Sequence, residues 1–109
     1  ESGEAYFGEI ENGKRAGFGT LVHANDDAYV GSFVDGMASG TGHYEKTDGS
    51  MMIGIYKEGA PNGPGTYIAP NGDSYQGMFV NGEPEGKILV TRKDGTQMVE
   101  MWKNGEKQE

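Results

Sequence analysis

The sequence repeats with a period of 23 residues, and this period constrains the fold more than any other feature. Corresponding residues share a chemical type. The copies begin at a large apolar residue, namely Tyr6, Tyr29, Met52, Tyr75 and Met98. A glycine follows two residues later in four copies, at Gly8, Gly31, Gly54 and Gly77. A fixed period of this length indicates an array of one supersecondary unit. We therefore expect one array over 1–109, with repeats 6–28, 29–51, 52–74 and 75–97 and a partial repeat 98–109.

Each repeat contains two stretches that alternate in hydrophobicity with a period of two, separated by polar pairs that contain glycine. This alternation indicates strands, the pairs indicate turns, and no segment has helical periodicity. Short connections place consecutive strands side by side and antiparallel. The sequence thus predicts an all-β fold, a single-layer, elongated antiparallel meander of nine strands. These are 5–11, 17–23, 28–34, 40–46, 51–57, 63–69, 74–80, 86–92 and 97–103.

The pairing of these strands offers a reason for the 20 glycines of the chain. Glycine weakens a strand, because it loses the most backbone entropy on folding and has no side chain to pack. A four-residue loop at 36–39 places Phe33 opposite Gly42. It also places Tyr44 opposite Gly31. Each aromatic ring would then lie flat across a glycine on the neighbouring strand.

The next connection allows two registers. A three-residue loop at 48–50 places Tyr44 opposite Gly54, which continues the pairing of rings with glycine. The turn can instead occupy 47–49, with Gly49 in the left-handed third position, and this shifts the pairing by two residues.

Composition limits the classes of function. With 109 residues, of which 34% are hydrophobic, the chain is one domain or a piece of one, with little material for a thick two-layer core. A net charge of −8 argues against binding to nucleic acid or anionic membranes. The chain has no cysteine, no apolar run long enough to span a bilayer and no signal-peptide pattern. We expect a soluble, intracellular protein.

The stretches YVGSFVDG (29–36) and GTGHY (40–44) resemble the MORN (membrane occupation and recognition nexus) repeat. The resemblance covers nearly the whole chain. It implies a curved, single-layer array of β-hairpins that serves as a scaffold in cytoskeletal or membrane-junction assemblies. A cytoplasmic location at such an assembly follows from it. Family members also act as accessory modules of lipid kinases and SET-domain methyltransferases, and lipid binding has been proposed for the family.

Two features mark the ends of the array. Ile88 and Glu100 replace glycine at repeat positions, which indicates a specialised terminal unit. Gly3 is in phase with Gly49, Gly72 and Gly95. The sequence therefore begins inside a turn, and we expect a longer array.

No candidate catalytic, cofactor or metal site emerges from the residue types. Strand alternation places His23 on the aromatic face and His43 on the other, so they cannot share a metal. The Gly-x-Gly pairs are not followed by a helix, as phosphate-binding loops require. No carboxylate is paired with a nucleophile or a second acid. We predict that the chain is not an enzyme and has no cofactor.

The aromatic face is the candidate binding surface. Its predicted groove residues are Tyr29, Phe33, Tyr44, Tyr56, Tyr67, Tyr75 and Phe79. One interpretation is that these rings form the entire core by packing on each other and on glycine. The other is that much of the face stays accessible, since a single layer leaves it uncovered, and binds a partner. The expected partner is a protein segment, an amphipathic helix or an extended stretch, with basic residues at its margins.

The C-terminal repeats are expected to self-associate. Strand 97–103 has no predicted successor, and both of its faces are apolar. We predict a homodimer through Leu89, Val99, Met101 and Trp102. The alternative is that these side chains pack locally as a cap.

The predicted function is a non-catalytic interaction module that is part of a scaffold. One alternative is a regulatory accessory domain of a larger enzyme, of the lipid kinase or methyltransferase type. Another is phospholipid binding, which the scattered distribution of the nine basic residues disfavours.

Overall fold

Ten strands form one open antiparallel sheet over residues 3–108, the part of the chain that the computed structural model describes. Consecutive strands are neighbours throughout, and these residues contain no helix. The sheet measures 47 by 23 by 19 Å. The predicted single-layer meander is confirmed. The strands are β1 Ala5–Glu11, β2 Lys14–Val22, β3 Ala28–Val34, β4 Met37–Glu45, β5 Met51–Lys57, β6 Ala60–Ile68, β7 Ser74–Val80, β8 Glu83–Thr91, β9 Gln97–Lys103 and β10 Glu106–Gln108.

A two-residue turn closes each hairpin. In the β7–β8 turn, Asn81 has φ +51° and Gly82 has φ +87°. Positive φ at both positions gives a turn whose twist matches that of the strands, and asparagine and glycine tolerate it best. The predicted four-residue loop at 36–39 is therefore wrong. Val34 pairs with Met37, so β4 begins three residues earlier than predicted.

In each of the first four hairpins the second strand is two residues longer than the first, and a bulge in the second strand accommodates these two residues. On β4, Ala38 lies opposite Phe33 and Gly42 lies opposite Gly31, so β4 has two more residues than β3 between these pairs. Gly40 lies in this bulge with φ +98°, a conformation that favours glycine. The predicted pairing of Phe33 with Gly42 is therefore wrong.

Five residues connect one hairpin to the next. In the connection from Lys46 to Ser50, the Lys46 N–H donates to the Ser50 carbonyl oxygen at 2.9 Å, and the Gly49 N–H donates to the Lys46 carbonyl oxygen at 3.0 Å. Gly49 has φ +94°. The turn thus occupies 47–49, which confirms the second of the two predicted registers. Tyr44 lies opposite Met52, and its predicted pairing with Gly54 is wrong.

The bulge glycines lie opposite rings, as Gly17 does Phe33 and Gly40 does Tyr56, whereas the other strand glycines face one another across the sheet. They form one row, made of Gly8, Gly19, Gly31, Gly42, Gly54, Gly65 and Gly77. The rings reach this row diagonally. A Cβ on Gly42 would lie 2.6 Å from Cζ of Tyr29, and a Cβ on Gly19 would lie 2.7 Å from Cε1 of Tyr6. The glycines do support rings, although Tyr44 is not opposite Gly31 as predicted.

The buried core lies on the side of the sheet that carries the rings. Leu21, Tyr29, Phe33 and Tyr56 form one buried cluster. Tyr29 packs edge-to-face on Phe33, with centroids 5.1 Å apart, and on Tyr56, with centroids 4.9 Å apart. Aromatic pairs favour this geometry because the positive edge of one ring meets the negative face of the other.

Hydrogen bonds join neighbouring hairpins at both edges of the sheet. At the edge of two-residue turns, the turn glycine donates its N–H to the preceding hairpin. For example, Gly36 bonds the Arg15 carbonyl oxygen at 2.9 Å and Gly82 bonds the Pro61 carbonyl oxygen at 2.8 Å. These bonds fix the spacing of successive hairpins at this edge.

At the opposite edge, an aspartate links one five-residue connection to the next. The Asp27 carboxylate accepts from the Thr47 N–H at 3.0 Å. The Asp73 carboxylate accepts from the Lys93 N–H at 3.0 Å and from Arg92 Nη1 at 3.1 Å. The backbone N–H of Lys93 is the main cause that lowers the pKa of Asp73, and Arg92 adds to it.

The equivalent position in the intervening repeats carries a hydroxyl. Ser50 and Thr96 donate to Asp48 and Asp94 of their own connections, at 2.7 and 2.8 Å. The bonding at this edge therefore alternates with a period of two repeats.

The last hairpin corrects a prediction about the C-terminal edge. Strand β10 pairs with β9, where Glu106 lies opposite Lys103 and Gln108 lies opposite Met101. The expectation that strand 97–103 has no successor is therefore wrong.

The contact between Tyr29 and the glycine row predicts the effect of Gly42→Val. A branched side chain at this buried position must displace the Tyr29 ring, so we expect a loss of about 1–3 kcal/mol in the free energy of unfolding. Urea denaturation measures it. Thr41→Val is the matched control, because Thr41 is the exposed neighbour on the same strand. Equal stability of the two variants would contradict the role assigned to the glycine row.

The lowered pKa of Asp73 predicts a dependence of stability on pH. A carboxyl with a lower pKa in the folded state stabilises the fold above its unfolded pKa of about 3.9. This contribution is lost as pH falls through the folded value. We therefore expect the parent to lose stability more steeply than Asp73→Asn below about pH 5. Thermal midpoints measured across this range test the prediction, and parallel curves would contradict it.

Candidate binding groove

The seven predicted groove residues fall into two groups. Four are buried, with 2–4% of their surface exposed, namely Tyr29, Phe33, Tyr56 and Phe79. Three are partly exposed, namely Tyr44, Tyr67 and Tyr75. The packed-core interpretation therefore holds for the first group, and the second group stays the predicted contact surface. The buried group forms core, although Tyr56 and Phe79 also line the cavity described below, and the second group has the larger exposed surface.

The environments of two buried phenols agree with this division. The Tyr29 hydroxyl donates to the Ser32 carbonyl oxygen at 3.0 Å, and the Tyr56 hydroxyl donates to the Met52 carbonyl oxygen at 2.8 Å. Burial raises the pKa of Tyr29 and, more strongly, that of Tyr56. Both hydroxyls therefore have their hydrogen-bond partners within the fold.

A cavity of about 550 Å³ lies over strands β4 to β9 on this side of the sheet. We call it the ring-face groove. Its lining is mainly apolar, and Lys46 is the one charged residue in it. Besides parts of the buried core and the turn glycines, its lining comprises Tyr44, Tyr67, Tyr75, Met52, Pro61, Pro84, Ala69, Lys46 and Trp102.

The groove also contains residues that were not predicted to line it, among them two prolines. Pro61 and Pro84 occupy the same position of successive repeats, at the start of the even-numbered strands. Both positions were predicted to lie in loops, so they were not assigned to the sheet. The Asn81-Gly82 pair is the sequence feature that could have indicated this, because Asn-Gly favours a two-residue turn. A two-residue turn brings the following prolines into the sheet.

The two residues that replace glycine are buried near the C-terminal end of the sheet. Ile88 is fully buried next to Gly77, and Glu100 is 7% exposed. The Glu100 carboxylate accepts from Trp102 Nε1 at 3.1 Å and pairs with Lys107 Nζ at 3.3 Å. These bonds hold the Trp102 indole at the end of the groove.

The predicted self-association residues lie on two different faces. Leu89 pairs with Val99, and Met101 follows two residues later, so these three share one face. Trp102 lies on the other, in the groove. Val99 is 61% and Met101 is 46% exposed, whereas Leu89 is partly buried.

The face opposite the groove, which we call the second face, carries most of the exposed apolar side chains. Strand alternation and pairing assign to it ten of the twelve large hydrophobic residues that are exposed in the described part of the chain. Ile10 and Met98 are the other two, on the ring side. The ten are Phe7, Phe18, Val34, Met37, Ile53, Ile55, Met78, Val80, Val99 and Met101.

The two histidines lie on opposite sides, as predicted. The His23 ring lies 5.8 Å from that of Tyr44, and His43 pairs with Val30 and Ile53 on the second face. Residues 3–108 contain no group of three or more side chains able to hold a metal ion. They also contain no helix long and apolar enough to cross a membrane.

An open, single-layer sheet of repeated hairpins with a groove on one face defines a β-repeat array. The family model of the MORN repeat matches residues 6–28, 29–51, 53–74 and 75–87. The chain therefore belongs to the MORN-repeat family. MORN repeats are commonly protein- or membrane-interaction modules and are typically non-catalytic. No curated protein matches the sequence.

The two groups of tyrosines predict different effects of truncation. Tyr56→Ala should cost about 3–5 kcal/mol of unfolding free energy, because it leaves a cavity in the buried cluster. Tyr75→Ala should cost much less, because its ring already contacts solvent. Urea denaturation compares them. If Tyr56→Ala fails to fold, Tyr56→Phe removes only the bond to Met52 and should cost about 1 kcal/mol. Equal losses for the two alanine variants would contradict the division.

Proposed function

We propose that this chain is a non-catalytic interaction module that holds a segment of a partner protein in the ring-face groove. The observation that supports this is the groove itself, about 550 Å³ of mainly apolar surface with three partly exposed tyrosines. Tyrosine and tryptophan are favoured anchors of protein interfaces, because they bury a large area and retain a polar group.

The dimensions of the groove suit a short segment. It crosses six strands, which at about 4.8 Å per interval gives a length of about 24 Å. This length accommodates about seven extended residues, or about 16 residues of helix. Since the chain carries a net charge of −8, basic residues flanking the segment would favour its association.

A membrane surface is a weaker candidate for the partner. The chain has nine basic and 17 acidic residues, and Lys46 is the one basic residue that lines the groove. Anionic lipids attract clusters of basic residues. The charge of this chain therefore favours a protein partner.

We also propose that the chain self-associates through its C-terminal repeats. The supporting observation is that Val99 and Met101 expose apolar surface beside Leu89 on one face. Trp102 is better placed to contact a groove ligand.

Selection of ligands from a phage-displayed peptide library tests the groove proposal. Selected peptides should bind the parent chain and change the fluorescence of Trp102, which is the single tryptophan and lines the groove. We expect Tyr67→Ala and Tyr75→Ala to weaken binding at least tenfold each, as loss of about 1.4 kcal/mol or more at an anchor residue implies.

Ile53→Ala is the matched control, because it truncates an exposed apolar side chain on the second face. It should leave the affinity unchanged. Peptides whose binding depends on Ile53 and not on Tyr67 would contradict the proposal. Co-sedimentation of the chain with phosphatidylserine or phosphoinositide vesicles at physiological salt, lost in Tyr67→Ala, would instead favour a membrane partner.

A further inference from the structure

The second face has a continuous row of paired residues along the array, in which polar side chains such as His43, 3.1 Å from the Glu45 carboxylate, stand among apolar ones. Directly paired residues form this row from Phe7 on β1 to Val99 on β9. It includes Ile53 near its middle and contains no Asp, Glu, Lys or Arg. Exposed apolar surface of several hundred Å² on a soluble domain commonly marks an interaction site.

Charged side chains lie at the margins of this face, and Glu9, Glu85 and Lys87 lie on it within their strands. Glu45, Lys57 and Glu83 are exposed, and each is at the end of its strand. Protein interfaces combine apolar surface with polar and charged residues. The second face carries acidic and basic side chains among its exposed apolar ones, so the same surface of a second copy can match it in both respects.

We propose that two copies of this chain pack their second faces together across a two-fold axis, forming a two-layer β-sandwich. The proposal rests on the self-association proposed above and extends its surface from the C-terminal repeats to the whole face. In a two-fold contact the same patch serves both partners, as a self-complementary surface requires. Sheets in sandwiches lie about 10 Å apart with their inner side chains interdigitated.

The size of the face is sufficient for a stable dimer. The sheet measures 47 by 23 Å, so one face offers on the order of 1,000 Å². A standard protein interface buries about 800 Å² per partner. The exposed C-terminal side chains Val99 and Met101 cover only the last strands of this area, so they would contribute part of the contact.

This arrangement would leave both ring-face grooves on the outer surfaces of the dimer. Ligand and second copy would then occupy different faces of the same sheet. A dimer with two free grooves can hold two segments at once, and a partner that carries two such segments would bind with increased avidity.

Sedimentation equilibrium of the chain over a range of concentrations tests the proposal. The parent should dimerise at micromolar concentration, and Ile53→Lys with Ile55→Lys should weaken the dimer at least tenfold while the β-sheet spectrum persists. Ile10→Lys is the matched control, since Ile10 is 58% exposed but lies on the ring side, and it should leave the dimer intact. Added salt should strengthen the dimer, because it screens the repulsion between two chains of charge −8.

The variants separate failure of this proposal from failure of self-association. A parent that is monomeric at high micromolar concentration would overturn both. A dimer lost in Val99→Lys with Met101→Lys but retained in Ile53→Lys with Ile55→Lys would overturn the sandwich and keep the C-terminal contact.

If the Ile53 and Ile55 variants unfold, spin labels provide a second measurement. The chain has no cysteine, so a single Thr66→Cys near the middle of the row can be labelled specifically. Intermolecular distances of about 20 Å or less are expected for two sheets in contact. Absence of such a distance in a dimeric sample would overturn the sandwich.

Discussion

The contact between aromatic rings and the glycine row is the interaction on which the rest of this structure depends. A single sheet has no second layer, so its large side chains must find cover within the sheet. The glycines provide it, because without a Cβ the backbone can be approached directly, as Tyr29 approaches Gly42. The rings then pack edge-to-face on one another, as Tyr29 does with Tyr56. This explains how a chain with 34% hydrophobic residues assembles a continuous buried cluster.

The hairpin geometry accounts for the period of the sequence. One repeat consists of seven residues in β3, two in the turn, nine in β4 and five in the connection, which together make the 23-residue period. The two additional residues of the longer strand are taken up at the bulge, where Gly40 has positive φ. Glycine thus has three separate roles here. It supports rings, closes turns and permits the bulge.

The sequence predicted the fold class, the period and the two faces of the sheet. It did not predict the register of β3 with β4 or the accessibility of the rings. Shifting the pairing by two residues leaves every side chain on its original face. Tyr44 was therefore assigned to the correct face although its predicted partners were wrong. Accessibility depends on packing between repeats, which sequence alternation does not contain. Tyr56 and Tyr67 lie on the same side of the sheet and both line the groove, yet Tyr56 is buried and Tyr67 is partly exposed.

The two edges of the array restrain the groove differently. At the edge of two-residue turns, three successive hairpins are bonded to the one before through the turn glycine, from Gly36 to Gly82. At the other edge the bonding depends on side chains and alternates, because Asp27 and Asp73 reach the next connection whereas Ser50 bonds within its own. The bond from the turn glycine uses only backbone atoms, so it does not depend on a side chain. The bond to the aspartate carboxylate requires a side chain of that length and charge. The spacing of the first edge is therefore a property of the fold, and the spacing of the second is set by the residue at one position of each repeat.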